Sequence, residues 1–134
     1  MKKTLQVVGA IIVKDGRILA VKRGENKNKA VAFKYEFAGG KIEQGETPQQ
    51  ALKRELLEEM NYDIQVGEEF MSVTYEYDDV FVNLHTYLCK PISNTYTLKE
   101  HIDEKWLLPS ELFSVEWAPA DFDIIFNLSK KQFI

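Results

Sequence analysis

The stretch from Gly39 to Asn61, GGKIEQGETPQQALKRELLEEMN, constrains this chain more than any other segment. Its second half spells a helix with both ends marked. The Thr47 hydroxyl can accept from early backbone N–H groups, Pro48 suits the first helical position, and Gln50 completes a capping box with Thr47. The helix should end near Met60, with Asn61 in the left-handed conformation as its stop. At about 100° per residue, Leu52, Leu56 and Met60 share one stripe, which is expected to be buried. Glu55, Glu58 and Glu59 fall at i, i+3 and i+4 on a neighbouring face.

Three carboxylates within one turn repel one another. They also lie in the C-terminal half of the helix, where its dipole disfavours negative charge. A sequence that tolerates both penalties points to a cation, and carboxylate oxygens are preferred ligands of Mg²⁺ and Mn²⁺. An acidic helix face taken alone is usually just solvated; the residues ahead of the helix shift the balance. Gly39 and Gly40 permit a sharp turn and close backbone approach, so a carbonyl can join the coordination sphere. Arg54 is placed to hold one of these carboxylates by a bidentate pair. Magnesium keeps waters and takes ligands from substrate phosphates, so the pattern describes a metal-assisted site for a phosphorylated substrate.

The rest of the chain reads as one α+β domain over residues 1–134, with no repeat or linker. Leu5–Val13 and Arg17–Lys22 are strands joined by Lys14-Asp15-Gly16, where Asp-Gly tolerates the positive φ of a hairpin. Gly24–Ala30 is a polar loop, Val31–Phe37 a short aromatic strand or its approach, and Ala38–Lys41 a turn. Tyr62–Val66 and Phe70–Tyr77 read as two further strands. Asp78-Asp79 then turns the chain into the long strand Val80–Lys90. A loop at Pro91–Asn94, a short strand at Trp106–Leu108 and one helical turn at Pro109–Leu112 follow. A last helix is expected over Ala120–Lys131, with Phe122, Ile125, Phe126 and Ser129 on one stripe.

Composition excludes several classes. With 45% hydrophobic residues and 28% charged, the chain can bury a core and is not disordered. One cysteine, Cys89, excludes an internal disulfide and suits a reducing compartment. A net charge of −4 argues against a nucleic-acid polymer or an anionic membrane as partner, while leaving room for a small basic pocket. The apolar stretch near the N-terminus is broken by Gln6 and Gly9 and lacks a cleavage site, so it reads as a strand rather than a secretory signal. No run approaches the ~18 apolar residues of a membrane span; a cytoplasmic protein is expected. His85, His101 and Cys89 read as structural or surface residues, and neither a Ser-His-Asp order nor a P-loop is present.

The segment resembles the Nudix box, G-x5-E-x7-R-E-U-x-E-E-x-G-U with U apolar. Gly40, Glu46, Arg54-Glu55-Leu56 and Glu58-Glu59 match it, while Asn61 and Tyr62 stand where glycine and an aliphatic residue are usual. Val21-Lys22-Arg23, Tyr35–Glu43 and Ala118-Pro119-Ala120-Asp121 extend the likeness to MutT-type enzymes, on the branch of CTP pyrophosphohydrolases and 8-oxo-dGTP diphosphatases. The resemblance implies an α/β/α sandwich around a mixed sheet. It also implies hydrolysis of a (d)NTP to (d)NMP and pyrophosphate with Mg²⁺ or Mn²⁺, as in cleaning a nucleotide pool. Glu55 and Glu58 would be catalytic, with Glu55 as general base or its metal-bound equivalent. Gly39, Glu55, Glu58 and Glu59 would hold metal, and Arg23 and Lys41 would meet phosphates. Phe37, with Tyr75, Phe81 and Phe122 as further candidates, would stack on a base whose edge Asp121 reads; an N-terminal cap is the ordinary role for that Asp. A later carboxylate, Glu100, Asp103 or Glu104, would join the site. The partner implied is a small nucleotide, with the protein a monomer or homodimer. A nucleoside diphosphate-X substrate such as ADP-ribose, NADH or a dinucleoside polyphosphate stays open, as does an inactive Nudix module that only binds ligand.

Overall fold

The computed structural model describes residues 2–131 and 133. Strands β1 (Lys3–Lys14) and β2 (Arg17–Lys22) form the expected hairpin. Asp15 and Gly16 adopt φ of 52° and 75°, so both central residues take the positive φ that a two-residue turn matched to strand twist requires. Then come β3 (Tyr35–Glu36), β4 (Ala38–Lys41), α1 (Pro48–Met60), β5 (Ile64–Glu76), β6 (Val80–Pro91), β7 (Asp103–Leu107) and α2 (Phe122–Leu128). Two 3₁₀ segments, Pro109–Ser114 and Pro119–Asp121, precede α2.

The described strands make one seven-stranded mixed sheet ordered β3-β2-β1-β6-β5, with β4 also on β1 and β7 also on β2. β1 runs parallel to β6 over Lys3–Ile12 and antiparallel to β4 and β2. Alternate residues of β1 and β2 enter different cores. Val8, Ala10, Ile12, Leu19 and Val21 pack with Leu52, Leu56 and Met60 of α1, whereas Ile11, Ile18 and Ala20 pack with Ile124, Ile125 and Leu128 of α2. Helices cover both faces, which is why these strands read as continuous apolar runs without a polar alternate. The α+β domain read from the residues is thus the α/β/α sandwich around a mixed sheet that the family resemblance implies.

Helix α1 is capped as its sequence spells. Thr47 Oγ1 accepts from Gln50 N at 3.1 Å, Gln50 Oε1 accepts from Thr47 N at 2.9 Å, and Asn61 closes the helix at φ 50°, ψ 41°. Tyr62, in the box's aliphatic position, is buried against the α1 core.

Three expectations are corrected. Ala38–Lys41 is a strand on β1 rather than a turn, because its backbone continues the sheet from Ala10 to Val7. Tyr62–Val66 and Phe70–Tyr77 are not separate strands: β5 runs through both, with register shifts between Val66 and Met71. Gly67 makes that possible, since a Cβ there would lie 2.7 Å from the Leu88 carbonyl oxygen. Finally, α2 is shorter than expected and its buried stripe is Ile124, Ile125 and Leu128; Phe122 and Phe126 are 53% and 54% exposed. The segment before α2 is fastened by Ala118 N donating to Tyr35 O and Ala120 N donating to the Tyr77 hydroxyl. Those bonds set the rotation of the helix and turn its aliphatic residues inward.

Candidate active site

The acidic face of α1 lies against the Gly39-Gly40 strand, and the loop after β6 closes over it. Two adjoining clefts result. One, of about 280 Å³, is mainly apolar, with Val31, Phe37, Val82 and Ala120 beside Asp121 and Lys41. The other, of about 350 Å³, brings together Glu36, Glu55, Glu59, Glu100 and His101. Arg23, Asn26, Glu36 and Gly39 line both.

The carboxylates of α1 have separate fates. Glu55 lines the acidic cleft and accepts from Arg54 Nη1 at 2.9 Å. Glu59 is 8% exposed, and its Oε2 is buried without a hydrogen-bond partner. Burial first, then the hydrogen bond and charge of Glu55, push the Glu59 carboxyl far above the usual carboxylate range. Glu58 lies on the outer flank, 60% exposed, accepting from Arg54 Nη1 at 3.1 Å; it lines neither cleft.

Arg54 does form a bidentate pair, but with Glu46 rather than with the α1 carboxylates. Nε and Nη2 donate to the two Glu46 oxygens at 2.7 and 3.0 Å, and Nη2 also reaches the Lys41 carbonyl. One guanidinium thereby ties the loop, β4 and the helix together. The Arg54 bond holds Glu46 below the usual carboxylate range.

On the apolar side, Phe37 is buried in a tilted contact with Trp117, ring centroids 4.9 Å apart, while it lines the cleft. Tyr75, Phe81 and Phe122 do not line it. Asp121 is 4% exposed and makes no side-chain cap to α2, so the ordinary cap role is absent. Burial first, then the Glu36 charge, raise its pKa well above normal, with Arg23 opposing. Arg23 Nε donates to Glu36 Oε1 at 2.9 Å. Burial disfavours the Arg23 charge, but Glu36 more than offsets this and its pKa is raised.

The three later carboxylates are separated by what they touch. Glu100 reaches the acidic cleft beside Glu55 and Glu59. Glu104 accepts from the Tyr96 hydroxyl at 2.6 Å, and Asp103 accepts from that of Tyr35. The sequence reading gives Glu36 no role and His101 only a structural or surface one, although both line the acidic cleft. The available signals were a carboxylate inside an aromatic strand and a histidine next to Glu100.

Among the described residues, no three His, Cys, Asp or Glu side chains form a closed metal cluster. The donor set still fits a hard cation that keeps waters and substrate oxygens. Glu59 has an orphaned buried oxygen, acidic side chains converge around it, and Gly40 leaves the space in which the Glu55 carboxylate lies. No helix among the described residues is long and apolar enough to cross a membrane.

Comparison with known proteins gives a consistent picture. The NUDIX domain model matches residues 3–128. The CTP pyrophosphohydrolase of Escherichia coli K12 is 37% identical over 123 residues, 92% of this chain and 90% of that protein. The 8-oxo-dGTP diphosphatase of the same organism is 33% identical over 130 residues, 97% of this chain and 99% of the relative. The solution structure of the MutT protein of methicillin-resistant Staphylococcus aureus 252 superimposes with a TM-score of 0.76 at 40% identity, covering 96% of this chain and 98% of that one.

Proposed function

Because the chain belongs to the NUDIX domain family, we propose that it is a Mg²⁺-dependent nucleoside triphosphate pyrophosphohydrolase, converting a (d)NTP and water into (d)NMP and pyrophosphate. The observation that carries this reading is the junction of the two clefts at Arg23, Asn26, Glu36 and Gly39. A ligand with a planar apolar end and a polyanionic end spans them in one pose.

The base enters the apolar cleft against Phe37. Burial favours the neutral carboxyl of Asp121, which both donates and accepts, so it complements the N3 and N4 edge of cytosine or the O6 and N1 edge of a guanine. It complements uracil equally well, which removes the discrimination an acceptor-only Asp would provide. Arg23 and Lys41 meet the phosphate chain where it crosses toward the acidic cleft, and positive charge there offsets that of the phosphates.

Glu55, Glu59, Glu100 and the Gly39 carbonyl would hold Mg²⁺. A bound divalent cation supplies charge neutralisation and a lowered pKa for water. Glu55 accepts the proton of the attacking water, and Arg54 keeps its carboxylate in place. Glu58, which shares Arg54 Nη1 with Glu55, would be a further metal ligand and catalytic carboxylate at the rim of this cluster. The substrates favoured are (d)CTP-type nucleotides or 8-oxo-dGTP, the compounds for which the two Escherichia coli relatives are named.

Pyrophosphate release with Mg²⁺ from dCTP, CTP, 8-oxo-dGTP, dGTP and ADP-ribose tests this. A kcat/KM for 8-oxo-dGTP far above that for dGTP assigns a pool-cleaning enzyme, and preference for cytosine nucleotides assigns the other branch. Activity on ADP-ribose alone overturns the substrate, and no activity on any compound overturns the reaction.

A further inference from the structure

Beside Arg23 lies a pair, half-buried Glu36 and buried His101, to which the proposed reaction gives no role. Glu36 accepts from Arg23 Nε through Oε1, and its other oxygen, Oε2, lies 3.0 Å from His101 Nε2. A carboxylate only accepts, so Nε2 carries the proton. Nδ1 is buried and has no partner, so Glu36 is the one hydrogen-bond partner of the ring among the described residues. Both Glu36 oxygens are therefore committed, unlike the free oxygen of Glu59. Arg23 meets Glu36 through Nε alone, and its Nη1 and Nη2 have no side-chain partner among the described residues.

The segment carrying His101 is itself pinned. Ile102 N donates to Lys22 O at 2.9 Å, and Lys99 N to Glu59 O at 3.3 Å. The backbone around the imidazole is thus fixed, and the ring holds the Glu36 oxygen that Arg23 does not.

We propose that His101 is a positioning residue which, through Glu36, orients the Arg23 guanidinium so that Nη1 and Nη2 face the phosphate chain of a bound nucleoside triphosphate. This rests on the function proposed above. It predicts that His101 matters only while Arg23 is present.

A double-mutant cycle tests it with CTP and 8-oxo-dGTP, read as KM and kcat with Mg²⁺ and as binding by calorimetry in EDTA. His101→Ala should raise KM and weaken metal-free binding about 10-fold with kcat within about 3-fold. In an Arg23→Ala background the same change should cost less than about 2-fold. His101→Gln, which keeps an N–H donor, should recover most of the loss. Should His101→Ala fail to fold, Glu36→Gln against Arg23→Ala provides the cycle, with the same non-additivity expected. Equal effects with and without Arg23, or a His101→Gln no better than Ala, overturn the positioning role. A wild-type protein that hydrolyses neither nucleotide overturns the underlying function instead.

Discussion

A Cβ placed on Gly40 would lie 2.4 Å from Oε2 of Glu55, so the absence of a side chain at one residue is what makes room for the carboxylate of the other. The neighbouring glycine serves a different end: a Cβ on Gly39 would lie 1.9 Å from the Val8 carbonyl oxygen, within the β1–β4 pairing. The two substitutions should separate. Gly40→Ala displaces only a flexible carboxylate and should lower kcat about 10²-fold with little change in Tm. Gly39→Ala must move backbone and should cost about 3 kcal/mol of stability. Activity assays alongside thermal melts distinguish them.

Glu55→Gln and Glu59→Gln should each lower kcat by about 10²-fold or more while keeping the fold. Mg²⁺ should raise the Tm of the wild type, because binding to the native state alone is stabilising. It should raise that of Glu59→Gln much less, since the orphaned oxygen is gone. Wild-type turnover in both variants would remove these residues from the chemistry.

Asp121 makes stability depend on pH. Its folded pKa is raised, so the native state holds a proton that the unfolded chain has already released. Stability should therefore fall as pH rises above the ordinary Asp value of about 4 toward the folded pKa. Asp121→Asn lacks that slope, and its Tm relative to wild type should climb as pH rises from about 4 toward the folded pKa of Asp121. A constant difference across this range, measured by scanning fluorimetry, would contradict a protonated Asp121.

Arg54 joins Glu46 through Nε and Nη2, and Glu55 and Glu58 both through Nη1. Arg54→Lys keeps the charge and loses the fork, so it should recover little of the activity lost in Arg54→Ala. Comparable kcat for Lys and wild type would show that charge alone suffices.

The orientation of α2 has its own test. Ile124→Ala should cost about 2–4 kcal/mol, whereas Phe126→Ala, at an exposed position, should stay within about 0.5 kcal/mol. Denaturant midpoints decide between this face and the aromatic stripe expected from spacing alone.

What could be read without coordinates rests on interactions between near neighbours in the chain. The capping box of Thr47 and Gln50, the left-handed Asn61, the Leu52–Leu56–Met60 stripe and the grouping of Glu55 with Glu59 follow from 3.6 residues per turn. The Asp15-Gly16 hairpin follows from backbone sterics. Even the double-sided burial of β1 and β2 is foreshadowed by the apolar runs Val7–Val13 and Ile18–Val21. These features need no knowledge of what lies across the molecule.

Tertiary structure decided everything that depends on which distant segments meet. Glu100, Asp103 and Glu104 are equivalent by type, and only the seating of their loop on Lys22 and Glu59 sends Glu100 to the acidic cleft. Glu36 and His101 are 65 residues apart and touch because β2 pairs with both β3 and β7. Asp121 is visible as a candidate in the sequence, but its burial, which raises its pKa, comes from tertiary packing. Residue types and short spacings specify a helix and its charges. The partners of those charges depend on sheet register and loop closure, which no local pattern encodes.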